Sequence, residues 1–231
     1  MFTELARTQN ALRQLLKDVT GTAPNNPVEL YLWGYRIDLA SNTAPYYPYL
    51  NQLINELEPG ISIATEPDII LRVPGDMLVF IEAKFTSENS LSKDRPAKEG
   101  ENPHSAREMV QRYVEQNPFL AEANPFAPDR FPAVIYGQLF RNLVFCASAA
   151  KLEGIEKWAV VNLRAQKFME IRAEEVESEV KELLLPAHQG RFKHYTWERL
   201  HEHIKNEADL KNVVSYLEAK SAFCEPAFVV G

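Results

Sequence analysis

The stretch EPDIILRVPGDMLVFIEAKF, residues 66 to 85, constrains the fold more than any other part of the chain. Two apolar runs flank Pro74-Gly75. Short runs rich in Ile, Val, Leu and Phe on either side of a turn signal read as paired strands. Each run is apolar at both odd and even positions, so the hairpin is buried on both faces and belongs in the middle of a sheet. Each run ends, on the side away from the turn, in charged residues, with Glu66 and Asp68 on one strand and Glu82 and Lys84 on the other.

The turn decides whether those charges meet. A two-residue loop at Pro74-Gly75 pairs Val73 with Asp76, sets Asp68 opposite Ile81 and sends Glu82 to the other face. A three-residue loop over Val73-Pro74-Gly75 suits the turn chemistry better. Proline fits the centre of a type I turn, and glycine fits the left-handed position that follows. This register pairs Arg72 with Asp76, Ile70 with Leu78 and Asp68 with Phe80. Side chains alternate along a strand, so Asp68, Glu82 and Lys84 then share one face. Asp68 and Glu82 become diagonal neighbours, roughly 7–8 Å apart at the backbone. Glu66, opposite Glu82 in the same register, is either an additional ligand or a solvated strand-end charge.

Two carboxylates held together repel one another and call for a cation between them. Hard oxygen ligands in small number suit Mg²⁺ or Mn²⁺, which keep several waters and complete their shell with a phosphate. A lysine two residues beyond the second acid reaches the same place. It can orient or help deprotonate a metal-bound water and balance charge at phosphorus. The layout is that of a phosphodiester-hydrolysing site.

Pro67-Asp68, thirteen intervening residues, then Glu82-Ala83-Lys84 resembles the PD-(D/E)XK signature of the restriction-endonuclease-like nuclease superfamily. The resemblance implies an α/β fold with a central mixed sheet flanked by helices. It implies Asp68 and Glu82 as metal ligands and Lys84 as the catalytic lysine. Many members add a glutamate from the first core helix, for which Glu29 is the best match and Glu56 the competitor. Some place a glutamine on the helix after the third strand, where Gln138 in YGQLFRN stands. The function implied is a Mg²⁺- or Mn²⁺-dependent nuclease acting on nucleic acid, with DNA preferred. The alternative is a catalytically inactive member kept as a binding or assembly module. The net charge of −7 leans toward that alternative, because DNA binding needs compensating cations.

The remainder of the 231 residues reads as one domain of this kind, 1–231, with an N-terminal helical segment and C-terminal helices. An amphipathic helix spans 3–18. NNPVEL, with Asn26 as cap, Pro27 in the first turn and Glu29 three beyond the cap, predicts a second helix to about Leu39. PYYPYLNQLINELEPG predicts a third, stopped at Pro59-Gly60. A short strand is expected over 61–64 and a long polar loop over 86–104. The capping box SARE opens a helix from 105 to about 116, and a proline-rich loop crosses 117–132. AVIYGQLFRNLVFCASAAKLEG has helical length and a stop at Gly154, KWAVVNL is a buried strand, and helices at about 173–185, 197–206 and 208–221 close the chain.

Nothing in the first twenty residues has the build of a signal peptide, and no apolar run approaches the roughly 18 residues of a membrane span. Cys146 and Cys224 lack metal spacing, which fits reduced thiols in a cytoplasmic protein. His201 and His203 are two apart on a helix and do not face one another, so no zinc site is expected among the C-terminal histidines, His188 and His194 included. Arg141, Lys151, Arg164 and Lys167 are basic side chains expected on a solvated surface.

Overall fold

The computed structural model describes residues 8–37, 44–59, 66–85, 91–93, 110–121, 124–127, 134–166 and 176–223. Expectations over 61–64, 86–90, 94–109, 128–133 and 167–175, and for Cys224, fall outside these residues.

The centre is a six-stranded mixed sheet. Its strands are β1 (Glu29–Leu32), β2 (Tyr35–Arg36), β3 (Ile69–Val73), β4 (Met77–Ala83), β7 (Lys157–Arg164) and β8 (Phe192–Thr196), in the spatial order β2-β1-β3-β4-β7-β8. The first four are antiparallel to their neighbours, and β4, β7 and β8 run parallel. Strands β5 (Leu91–Lys93) and β6 (Val134–Tyr136) form a separate two-stranded ribbon. Helix α1 (Gln9–Thr20), α2 (Leu50–Leu57), α3 (Gly137–Glu153), α4 (Trp197–Ile204) and α5 (Lys211–Phe223) complete the main elements.

Strand alternation divides the interior into two cores. Leu30, Ile69, Leu71, Val79, Ile81 and Val161 pack against α1, α4 and α5. Tyr31, Ile70, Leu78, Phe80, Val160 and Phe192 pack against α2 and α3. Both faces of β3 and β4 are covered, which is why their sequences are apolar at both odd and even positions, Arg72 of β3 and Glu82 near the end of β4 excepted. Helix α3 is buried nearly all round and makes the crossover that lets β4 and β7 run parallel. It ends at Gly154 in the left-handed conformation (φ +67°), as the glycine stop predicts.

The central hairpin has the expected even parity but a different ladder. The loop is Pro74-Gly75-Asp76, Val73 pairs with Met77, and Ile69 pairs with Ile81. The Asp76 N–H donates to the Val73 carbonyl at 3.0 Å, and Gly75 takes φ +70° at the third turn position, the arrangement of a type II turn. Moving the loop one residue toward the C-terminus shifts the ladder by two, so Asp68 comes level with Glu82 rather than diagonal to it.

The helix expected from Asn26 to Leu39 is instead the β1–β2 hairpin. The cap signal at Asn26-Pro27 is outweighed by the β-forming YLWGY that follows, with Trp33 (φ +46°) and Gly34 (φ +77°) in the turn. Glu29 and Leu30 pair with Arg72 and Leu71 of β3. Val28 is tied to α1 by both ends of the Gln9 amide, at 2.8 and 3.0 Å. Strand β8 was also absent from the sequence-based expectation. The helix expected to 116 is wound as a π-helix over Gln111–Glu115.

Candidate active site

Asp68 precedes β3 and Glu82 is the penultimate residue of β4, and the ladder brings the two level on neighbouring strands. Asp68 is fixed through its side chain, with Oδ2 accepting the Ala83 N–H at 2.8 Å. Its own carbonyl accepts the Trp33 N–H at 3.2 Å, which ties it to the β1–β2 turn. Lys84 continues the β4 ladder, donating its N–H to the Leu163 carbonyl at 2.8 Å. The Trp197 indole donates to the Lys84 carbonyl at 2.9 Å and stacks on Phe85 at 4.1 Å. The backbone that presents the charged groups is thus anchored from several elements.

Glu82 lies deep, at 3% exposure. Its Oε1 is 2.7 Å from Lys84 Nζ, and Asn142 of α3 donates to Oε2 at 3.0 Å. Burial raises the Glu82 pKa above the ordinary carboxylate range, and the Asp68 charge raises it further, against the lowering effects of Lys84 and Asn142. Beside Glu82 on β7 stands Asn162, fully buried, whose Nδ2 lies 3.3 Å from Nδ1 of His194 on β8. A polar row therefore crosses β3, β4, β7 and β8 at one level of the sheet, on the face covered by α3. Register extends the row at the next level, with Arg164, at 4% exposure, beside Lys84.

The other residues singled out from sequence are placed as follows. Gln138 is half-buried one turn before Asn142, so the two share a side of α3. Glu56 is exposed on α2. Glu29 is not on a helix and does not join the pair. It sits four strand positions from the site, opposite Arg72, held by Arg72 at 2.7 Å and Arg36 at 3.3 Å. The buried carboxylate contributed by the α2 end is Glu58. It is gripped by Arg141 through Nε at 2.6 Å and Nη2 at 2.9 Å, and by the Tyr113 hydroxyl. Arg141 is accordingly buried rather than solvated. Glu66 accepts from the Tyr46 hydroxyl at 3.1 Å.

Asn142 and Asn162 went unnoticed in the sequence. Their signal was available: each is an amide set among apolar residues, next to Leu143, Val144 and Phe145 in one case and after Ala159, Val160 and Val161 in the other, and a buried amide needs partners.

The carboxylate pair suits a divalent ion of the magnesium type. Asp68 and Glu82 supply hard oxygens, Glu82 carries the electrostatic cost of standing beside Asp68, and a cation would offset that cost. Among the described residues no group of three or more His, Cys, Asp or Glu side chains is arranged to hold a metal. An ion here would take two protein carboxylates and fill its shell from water and phosphate.

The six-stranded mixed sheet flanked by helices on both faces is compatible with a restriction-endonuclease-like fold. The family described as Restriction Endonuclease associating with ARP matches residues 53–220, and the chain belongs to it. That segment contains Asp68, Glu82, Lys84, Asn142, Asn162 and His194. Among curated proteins and among solved structures, nothing matches the chain. Membership indicates a nuclease-like or related function and a nucleic-acid partner. No helix among the described residues is long and apolar enough to cross a membrane.

Proposed function

We propose that the chain is a Mg²⁺- or Mn²⁺-dependent nuclease of the PD-(D/E)XK type, hydrolysing phosphodiester bonds, with DNA as the preferred substrate. The observation that carries this reading is Asp68, just before β3, coming level with Glu82 of β4 and accepting the Ala83 N–H at 2.8 Å, with Lys84 Nζ 2.7 Å from Glu82. Asp68 and Glu82 are the metal ligands. When bound, the ion supplies Lewis acidity at phosphorus and lowers the pKa of water.

The chain's own groups do the rest. Asn142 holds one Glu82 oxygen, which aims the other side of the carboxylate toward Asp68 and Lys84. Lys84 presents a positive charge where negative charge grows on the phosphoryl oxygens, and its Nζ is placed to orient the attacking water. Gln138, one turn nearer the start of α3, is a candidate contact to the same water or phosphate. Burial of Glu82 keeps these interactions in a low-dielectric setting, where they are strongest.

The family description adds an association with ARP, and we carry that partner to the chain as part of the proposal, together with a cytoplasmic setting. The non-catalytic alternative is favoured by the net charge of −7 alone.

Calorimetric titration with Mn²⁺ tests the reading. Wild type is expected to bind, Asp68→Asn to lose binding, and Glu29→Gln to bind as wild type. Equal binding by wild type and Asp68→Asn would place the ion elsewhere.

A further inference from the structure

The β1–β2 turn carries a residue that neither packing nor backbone preference explains. A two-residue hairpin loop with positive φ at both central positions wants Asn-Gly or Asp-Gly. Here the first central position is Trp33, at φ +46°, a region that bulky residues rarely occupy. Trp33 is also 61% exposed, the most exposed of the large apolar side chains among the described residues. The chain therefore accepts backbone strain and solvent-exposed indole at the same residue. Strain of this kind persists only where the surroundings over-determine it, and it concentrates at functional sites.

The surroundings do over-determine it. The Gly34 carbonyl accepts the Tyr47 N–H at 2.7 Å, and Arg36 donates its N–H to the Pro45 carbonyl at 2.8 Å. A side chain at Gly34 would run into the Tyr46 ring. Next to Trp33, Tyr35 is 53% exposed and packs edge-on against Tyr46 at 5.0 Å, and Tyr46 in turn donates to Glu66. The turn is thus a stiff hairpin tip presenting two aromatic side chains to solvent.

Its position gives it a use. The Trp33 N–H donates to the carbonyl of Asp68 itself. The tip lies one strand from Asp68 and two from Glu82, at about 4.8 Å between neighbouring backbones. Rigid exposed aromatics beside a backbone-reading site are the architecture by which single strands are held, because every base has a face that can stack. A fully paired duplex offers no such face along its length.

We propose that Trp33, with Tyr35 beside it, is a stacking platform for unpaired bases, so that the nucleic acid engaged at the Asp68–Glu82–Lys84 site is single-stranded at that point. This rests on the nuclease reading of that site, and it goes further by naming the substrate form.

Trp33→Asn is the informative variant, since asparagine suits the left-handed backbone and preserves the turn. Single-stranded oligo(dT), oligo(U) and a fully paired DNA duplex are titrated in Ca²⁺ against wild type, Trp33→Asn and Trp33→Phe, following tryptophan emission for the proteins that retain Trp33 and anisotropy of labelled oligonucleotide for all. Trp158 and Trp197 are buried, at 7% and 0% exposure, so quenching by bases reports on Trp33. The expected result is quenching by both single strands, weaker binding by Trp33→Asn on the order of tenfold, substantial rescue by Trp33→Phe, and a melting temperature for Trp33→Asn at or above wild type. Equal single-strand affinity in wild type and Trp33→Asn overturns the inference. So does equal preference for the duplex, or a lowered melting temperature for Trp33→Asn with affinity unchanged, which would make the indole a structural residue or a protein-docking one. A parallel cleavage assay in Mg²⁺ separates the two claims. Cleavage that Trp33→Asn leaves untouched in rate and KM defeats the platform while the nuclease stands. Single-strand binding lost in Trp33→Asn without any cleavage by wild type defeats the nuclease while the platform stands.

Discussion

The two ends of one sheet face carry two clusters of charge that behave oppositely. At the end near the central turn, Arg72 lies between Glu29 and Glu153, with contacts of 2.7 Å to each. Arg36 adds a second cation to Glu29, and Tyr47 donates to Glu153. Two carboxylates meet two guanidiniums. At the other end, Glu82 meets Lys84 and stands level with Asp68, and the Glu82 pKa is pushed up by its burial and by Asp68. The first cluster has the charge balance of a structural tie. The second sets a deeply buried carboxylate beside another acid, which folding alone does not reward. The contrast separates a carboxylate that holds the sheet together from one that, on the proposed reading, a cation would balance, although both sit on strands of the same sheet.

The comparison is most easily broken at Arg72. Arg72→Met strands Glu153, whose side chain is 3% exposed, and Glu29 without their shared cation. Denaturant unfolding should show a loss of about 3–5 kcal/mol, the usual result of removing one partner from a buried pair. A change under about 1 kcal/mol would mean that the network is not a structural tie.

Lys84→Ala should show a stability loss and, on top of it, a loss of activity that Arg72→Met does not share. It makes no core cavity, but it takes from Glu82, at 3% exposure, its cation at 2.7 Å, so the metal-free protein should lose up to about 3–5 kcal/mol at neutral pH. Cleavage should drop on the order of 10² to 10³-fold, by analogy with other electrostatic stabilisers. Steady-state rates together with thermal melts give both readouts on one preparation.

A smaller effect is expected at Asp68, with an unusual sign. In the metal-free protein, Asp68→Asn should raise stability at pH 7, by on the order of 1 kcal/mol, while keeping an acceptor for the Ala83 N–H. The sign follows from Glu82. Its folded pKa lies above the ordinary glutamate value of 4.5, so the folded state holds the proton more tightly than the unfolded chain. The cost is absent well below that value, grows as pH rises through the folded pKa, and persists above it. Melts of wild type and Asp68→Asn across pH should converge in acid and diverge toward neutrality. Parallel curves would show that Asp68 does not load Glu82.

The smallest effect is assigned to Arg36→Ala, since Arg36 is 39% exposed and its contact with Glu29 is 3.3 Å. Stability should move by no more than about 0.5 kcal/mol and cleavage not at all.

How much of this was readable in the sequence follows from where the side chains get their instructions. The strands β3 and β4 were legible because both faces are buried and the Pro-Gly turn sets even parity. That parity is a local matter and survived, while the position of the three-residue loop moved by one residue and the ladder with it by two. Helix α3 was legible from its length and its glycine stop. The β1–β2 hairpin was not, because Asn26-Pro27 imitates a helix start, and the β-forming YLWGY prevails over it together with the pairing of Glu29 with Arg72, forty-three residues away. The role sought for Glu29 went astray for the same reason. Asn142 and Asn162 lie far from Glu82 in sequence and carry no spacing signature, so their part in the site appears only when α3 and β7 are laid beside β4. The buried Glu58–Arg141 pair was hidden in the same way, as two charges that each look solvated until the chain is folded.

The central claim is that Asp68, Glu82 and Lys84 form a metal-dependent cleavage site. It is tested most directly by incubating labelled single- and double-stranded DNA and RNA with wild type, Asp68→Asn and Lys84→Ala, each shown to be folded, in Mg²⁺, in Mn²⁺ and in chelator. The account predicts cleavage by wild type that requires the ion and falls at least a hundredfold in both variants. Cleavage at the same rate by all three proteins, or cleavage that persists in chelator, would contradict it.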